Sequence, residues 1–199
     1  MTKVVTAAAI MTLVDQKVLK PETPVYEFIP EYRDLQIIRP DGRLEPVSQP
    51  LTIHHLLTMT SGIPYPSIQP ANDDNVSPYY IRAMQECKNM KELSTLEFAR
   101  LIASCPLCFQ PGERWLYGLS ADVLGGVIVA ATGMELGDYM KKILFDPLDM
   151  QDTFFHVPEE KKDRLATLYN VDENGNFYPR RETFGFADQG DIKLEMGGA

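Results

Sequence analysis

Apolar positions crowd most densely into two stretches of the chain. In residues 120–133 the bulky apolar positions are Val123, Leu124, Val127 and Ile128. That i, i+1, i+4, i+5 spacing places them on one face of a helix. Ser120 or Asp122 would cap its start, and Gly133 fits its end. Gly125 and Gly126 inside it each cost about 1 kcal/mol relative to Ala, a cost that close approach of another backbone would offset. The other stretch runs through Val4, Val5, Ala8, Ile10, Met11, Leu13 and Val14. It is apolar nearly all round and predicts a helix covered on several sides. No cap residue or lead-in loop stands ahead of Met1, so the expectation is that something precedes it.

Between and beyond these stretches the pattern is that of short elements. Residues 24–30 are bounded by prolines and predict a short helix or turn. Residues 35–38 and 44–47 flank Asp41-Gly42, a hairpin signal. A helix is expected over 51–59, capped by Thr52 and ended by Ser61-Gly62 and Pro64. Residues 63–78 carry many Pro, Asn, Asp and Ser and predict a long surface loop of the kind that borders clefts, its acidic part at 67–78 solvated. Helices are predicted near 78–90 and 94–104, the second with a Ser94-Thr95-Leu96-Glu97 capping box. Another covers 136–145 and stops before Pro147, and 167–171 with 177–178 flank a second turn at 172–176.

Composition narrows the classes. Hydrophobic residues at 44% and charged residues at 24% of 199 positions describe an ordinary globular chain. A net charge of −9 argues against nucleic acid or an anionic membrane as partner. Three cysteines are too few, and odd in number, for a disulfide framework. No apolar run is long enough for a transmembrane helix. Lys3 followed by Val4 through Val14 superficially resembles a signal peptide. Asp15-Gln16-Lys17 follows at once without a small-x-small site, so no signal peptide is expected and the compartment defaults to the cytoplasm.

Most chemical motifs fall away on inspection. Cys105-Pro106-Leu107-Cys108 has redox spacing, but it ends a helix and enters a turn, where a thioredoxin-type pair would open a helix. His54, His55 and His156 lack zinc-partner spacing. Asp172, Asn174 and Asn176 mimic the start of a calcium loop, yet Phe177 stands where glycine is needed. No Walker loop, G-x-G-x-x-G or G-x-S-x-G occurs, and Ser61 is explained by a helix C-terminal turn. No cofactor and no metal is expected. Tyr117 remains, with Trp115 on one side and a flexible Gly118 on the other. It is either a packed aromatic or a positioned acid/base group, packing being the plainer reading of this stretch alone.

Five blocks in fixed order change that picture. They are Met1-Thr2-Lys3-Val4-Val5-Thr6-Ala7-Ala8, Leu51 through Gly62, Pro111-Gly112-Glu113-Arg114-Trp115-Leu116-Tyr117, Asp122-Val123-Leu124-Gly125, and Pro147 through Thr153. Together they strongly resemble the β-lactamase-like serine hydrolases, which include class C β-lactamases, D-alanyl-D-alanine carboxypeptidases and related esterases. The resemblance implies a Ser-x-x-Lys nucleophile motif, a Tyr-x-Asn-type second motif and a Lys/His-Thr/Ser-Gly third motif on a late strand. Lys3 matches the lysine of the first and Tyr117 the tyrosine of the second. A serine hydroxyl needs a base to take its proton, and a buried lysine of lowered pKa, or a tyrosine beside a lysine's charge, supplies one near neutral pH.

The departures from the pattern carry as much weight. The family's serine would stand three residues before Lys3, just ahead of Met1. The third motif, and with it one oxyanion donor, lies outside residues 1–199. Loss of one such donor costs on the order of 10²–10³ in rate. Leu119 replaces the asparagine of the second motif, which leans toward esters. The expectation is therefore an α+β, mainly helical, partial β-lactamase/transpeptidase-like fold with most of its antiparallel sheet missing. It would be one partial domain over 1–199, made of a buried helix near 1–19 and a helical region over about 50–199. Its parent would act on a small-molecule ester or amide, and the chain by itself would be inactive. The rival expectation is a non-catalytic binding or interaction module, self-associating through exposed apolar surface.

Overall fold

The element at the centre of the core is α5, Ser120–Thr132, in which every residue from Ser120 to Ile128 is buried. The computed structural model describes residues 1–65, 75–87, 90–167, 169–179 and 193–198. Around α5 pack α1 (Thr2–Asp15), α2 (Ile53–Leu57), α4 (Thr95–Ala103) and α6 (Leu136–Met140). A further helix, α3 (Ser77–Glu86), lies against α4. The predicted apolar face of Val123, Leu124, Val127 and Ile128 is present, but the opposite face is covered too.

The two glycines of α5 are explained by what lies against them. A Cβ on Gly126 would collide with the Cβ of Ala99 on α4. One on Gly125 would meet Leu136 Cδ2 and Thr95 Cγ2 at 3.1 Å each, with the Gly197 backbone just beyond. Small side chains of a crossing helix, as well as backbone, therefore fill the space that a side chain would need. Gly126→Val is expected to destabilise the protein by about 1–3 kcal/mol through overpacking. Urea unfolding checks this, and Ala99→Gly in the same chain should recover part of the loss because the two sites share one contact.

Helix ends follow local chemistry in some places and tertiary demand in others. Ser94 and Glu97 form the expected reciprocal cap of α4, with the Ser94 N–H donating to Glu97 Oε2 at 2.8 Å. Thr52 caps α2 in the same way, with His55 as its unexpected partner: the Thr52 N–H donates to His55 Nδ1 at 3.2 Å. Gly133 ends α5 in the left-handed conformation at φ 68°. At the start of α5 the expectation fails, since neither Ser120 nor Asp122 caps it. Ser120 is instead hydrogen-bonded to Ser61 at 2.7 Å, and Asp122 accepts from the Gly198 N–H at 2.9 Å. Ser61 is accordingly a fully buried polar contact rather than a simple exit turn.

Along α1 the buried residues are Thr6, Ala9, Ile10 and Leu13, one stripe at helical spacing. Val4 is 74% exposed and Met11 43% exposed, so cover on several sides is not what this structure shows. They lie seven apart, two turns along the face opposite that stripe. The helix ends at Asp15, and Lys17 follows with φ 61°.

Sheet is sparse. Antiparallel β1 (Gln36–Ile38) and β2 (Leu44–Pro46) pair with Ile37 opposite Glu45, around the Asp41-Gly42 turn. Ile37 also bridges Leu107 in parallel, which ties this hairpin to the core. The second hairpin, β3 (Tyr169–Val171) with β4 (Phe177–Pro179), closes where Asp172 Oδ1 accepts the N–H groups of Asn174 and Asn176 at 2.9 and 2.8 Å. Among the described residues these are the only sheets. The fold is α+β and mainly helical, and most of the expected antiparallel sheet is missing from the described residues. No single helix among them is long and apolar enough to cross a membrane. The acidic stretch 67–78 lies mostly outside the described residues, α3 beginning near its end.

Candidate active site around Lys3 and Tyr117

Lys3 lies in the first turn of α1, one turn before Thr6. Thr6 faces inward, and its hydroxyl donates to the Gly197 carbonyl at 2.7 Å. That bond seats the 193–198 segment against α1. Tyr117 arrives from a different part of the chain, in the extended run that leads into α5. Its neighbour Gly118 is not a flexible joint. A Cβ there would collide with the Ile63 carbonyl, so glycine is what lets residues 63–65 lie directly against 117–118.

That close approach carries Tyr65 to Tyr117, their ring centroids 5.6 Å apart, while Trp115 stacks on the other side of Tyr117 at 6.3 Å. Tyr117 is 49% exposed, so it packs on these two rings while keeping much of its surface open to solvent. Leu119, two residues on, is the one that enters the core.

The structure brings Lys3 and Tyr117 together. Lys3 Nζ lies 4.8 Å from the Tyr117 ring centroid and 5.3 Å from that of Tyr65. It donates to Tyr65 Oη at 2.8 Å and to the Gly198 carbonyl. Partial burial alone would lower its pKa, but the Tyr65 and Tyr117 phenols beside it outweigh that and hold the amine above its ordinary range. The lowered lysine pKa expected of such a base is therefore not found. In this arrangement Lys3 is an ammonium at neutral pH.

Behind the Gly198 backbone sits Asp122, 1% exposed. Its Oδ1 accepts the Gly198 N–H, while Oδ2 is buried without a hydrogen-bond partner among the described residues. Burial pushes its pKa up to about 6, against the opposing pull of the Gly198 N–H and the Lys3 charge. The other motifs weighed from sequence are elsewhere and differently used. Cys105 is buried, with its thiol pushed up by desolvation, and Cys108 is half-buried. His55 serves the α2 cap. Among the described residues no group of three His, Cys, Asp or Glu side chains could hold a metal ion.

Sequence reasoning missed Tyr65, Thr6, Asp122 and the Gly197-Gly198 backbone as members of this cluster. Tyr65 stood in a proline-rich run whose only local signal is a surface loop. A carboxylate inside an otherwise apolar run was a usable sign for Asp122, though it read as a cap.

Comparison with known proteins bears on the family resemblance. The Beta-lactamase family model matches residues 1–190. Esterase EstB of Burkholderia gladioli is 36% identical over 170 residues, a match covering 85% of this chain and 40% of that protein. Among solved structures, EstCE1, a hydrolase with promiscuous acyltransferase activity, superposes with a TM-score of 0.73 at 26% identity, over 100% of this chain and 52% of its own. Simvastatin Synthase from Aspergillus terreus, in a mutant form, gives a TM-score of 0.76 at 22% identity, over 99% and 46%. The chain thus spans about 40% of the length of EstB and about half of the solved structures. With its first 190 residues matched and its fold shared, the chain belongs to the β-lactamase-like serine hydrolase family.

Proposed function

We propose that Lys3 and Tyr117 manage the proton of an acyl transfer in a serine hydrolase acting on esters or β-lactam-like amides. The nucleophile is a serine set immediately before Met1, three residues ahead of Lys3 and on the same helical face. Its hydroxyl proton passes to the Lys3 amine as Oγ attacks the substrate carbonyl, and Tyr117 relays a proton to the departing group. Water then cleaves the acyl-enzyme by the reverse proton path. The resting amine is charged, so it must shed its proton before it can accept the serine's. Exclusion of water as substrate fills the site favours the neutral amine and acts in that direction.

The observation that carries this reading is the convergence of the Lys3 amine on the Tyr117 ring in a chain of this family. Leu119 in place of the second-motif asparagine favours esters over β-lactams. The similarity to esterase EstB supports the same preference. One core running from Ala9 to Leu194 supports reading 1–199 as a single partial domain. The 199 residues by themselves hold neither this serine nor the third motif, and are catalytically silent.

A chain extended to supply the serine and the third motif is expected to turn over p-nitrophenyl esters, and nitrocefin more weakly. The unextended chain is expected to stay unlabelled by a fluorophosphonate probe. Robust labelling of the unextended chain, or no turnover by a folded version carrying the serine and the third motif, sinks the proposal.

A further inference from the structure

We infer that Asp122 is a positioning residue for Lys3, holding the Gly198 backbone from behind so that its carbonyl is presented to the Lys3 ammonium. This rests on the reading of Lys3 as the proton-handling amine.

Four observations converge on it. Gly198 is gripped from both ends, its N–H donating to Asp122 Oδ1 at 2.9 Å and its carbonyl accepting from Lys3 Nζ and, at 3.4 Å, from Tyr65 Oη. The fit leaves no slack, because a Cβ on Gly198 would collide with Asp122 Oδ2. That same Oδ2 is buried with no hydrogen-bond partner. A cap or a packing residue gains nothing from a buried oxygen of this kind, whereas an ammonium one residue away draws on its charge through low-dielectric surroundings. Thr6 holds the preceding carbonyl, of Gly197, so the backbone bearing the acceptor is fixed at neighbouring points. The titratable groups acting on Lys3 are Tyr65 and Tyr117; the Lys3 charge acts on Asp122, and Asp122 acts in turn on Tyr32.

The arrangement has a spectroscopic consequence that plain packing lacks. As Asp122 loses its proton near pH 6, the Lys3 side chain must register the new charge. In the 199-residue chain with ¹³C-labelled lysine, the Lys3 Cε resonance, assigned with Lys3→Arg, is expected to show an inflection near pH 6 and a main titration above the ordinary lysine range. Asp122→Asn keeps an oxygen for the Gly198 N–H but removes the charge. It is expected to abolish the inflection and lower the Lys3 midpoint. Gly198→Ala leaves the charge but pushes the backbone off it, and is expected to lower the midpoint as well.

A Lys3 signal that is flat near pH 6, with a midpoint unmoved in folded Asp122→Asn and Gly198→Ala proteins, overturns the inference. Should Asp122→Asn fail to fold, the wild-type inflection and the Gly198→Ala midpoint decide it. Failure of the catalytic reading is separately visible. It would show as turnover indifferent to Lys3 substitution in the serine-extended protein, with the Lys3–Asp122 coupling still present in the titration.

Discussion

Tyr117→Phe in the serine-extended protein is expected to lower ester kcat/KM by about 10²–10⁴, the range typical of a lost acid/base group. The substitution removes one oxygen and leaves the ring. The stack on Trp115, the contact with Tyr65 and the seat of the Lys3 ammonium on the ring face all depend on the ring, so they survive. A half-exposed side chain of this kind contributes little to the core, and stability should stay within about 0.5 kcal/mol. The loss should therefore fall on kcat and leave KM nearly unchanged, because a relay acts only once the proton is in flight. Lys3→Met should cost a similar factor. The double variant should cost hardly more than either single one, since two residues that pass one proton fail as a unit. Steady-state kinetics with a p-nitrophenyl ester decide this, and a Tyr117→Phe enzyme as fast as its parent removes Tyr117 from the mechanism.

What could be read in advance divides along a physical line. The α4 cap is written in Ser94 and Glu97, three residues apart, and the two hairpins in turns only a few residues long. The buried face of α5 is written in the 3.6-residue repeat. Each of these depends on neighbours along the chain, so residue type and spacing suffice. The start of α5 shows where such reasoning stops. Ser120 and Asp122 have the chemistry of caps, but Ser61, 59 positions away, and Gly198, 76 positions away, take their side chains instead. No periodicity encodes that competition.

The same holds for the site. Lys3 and Tyr117 came forward as candidates only through blocks that resemble a family, because nothing local singles out a lysine on an apolar helix. Tyr65, which sets the charge state of Lys3 together with Tyr117, meets it across 62 positions. Of the two bases the resemblance allowed, a lysine of lowered pKa or a tyrosine beside a lysine's charge, the raised pKa of Lys3 fits the second. Tyr65 is the phenol that only the folded chain brings near.

Asp122→Asn offers the other large effect, on stability and its dependence on pH. A carboxyl has an ordinary pKa of about 3.9, and that of Asp122 in the folded chain is about 6. Between these values the folded state holds more protons than the unfolded one, so this group's contribution to stability falls as pH rises through that window. The gap between the two values corresponds to about 3 kcal/mol, lost in full above about pH 6 and retained in full below about pH 4. Asparagine is neutral throughout and still offers an oxygen to the Gly198 N–H. It does place an amide where Oδ2 has no partner, at a cost of about 1–3 kcal/mol. The variant is therefore expected to trail the parent by about 1–3 kcal/mol at pH 4 and to draw level with it or overtake it by up to about 2 kcal/mol near pH 8. Urea unfolding at the two pH values isolates the effect. Every other carboxyl titrates alike in both proteins, so the change in their difference, about 3 kcal/mol, belongs to Asp122; parallel pH dependences would show that its charge costs the fold nothing. A gain in stability from removing a buried charge that touches Lys3 through one glycine is the signature expected when a protein keeps strain at a working site.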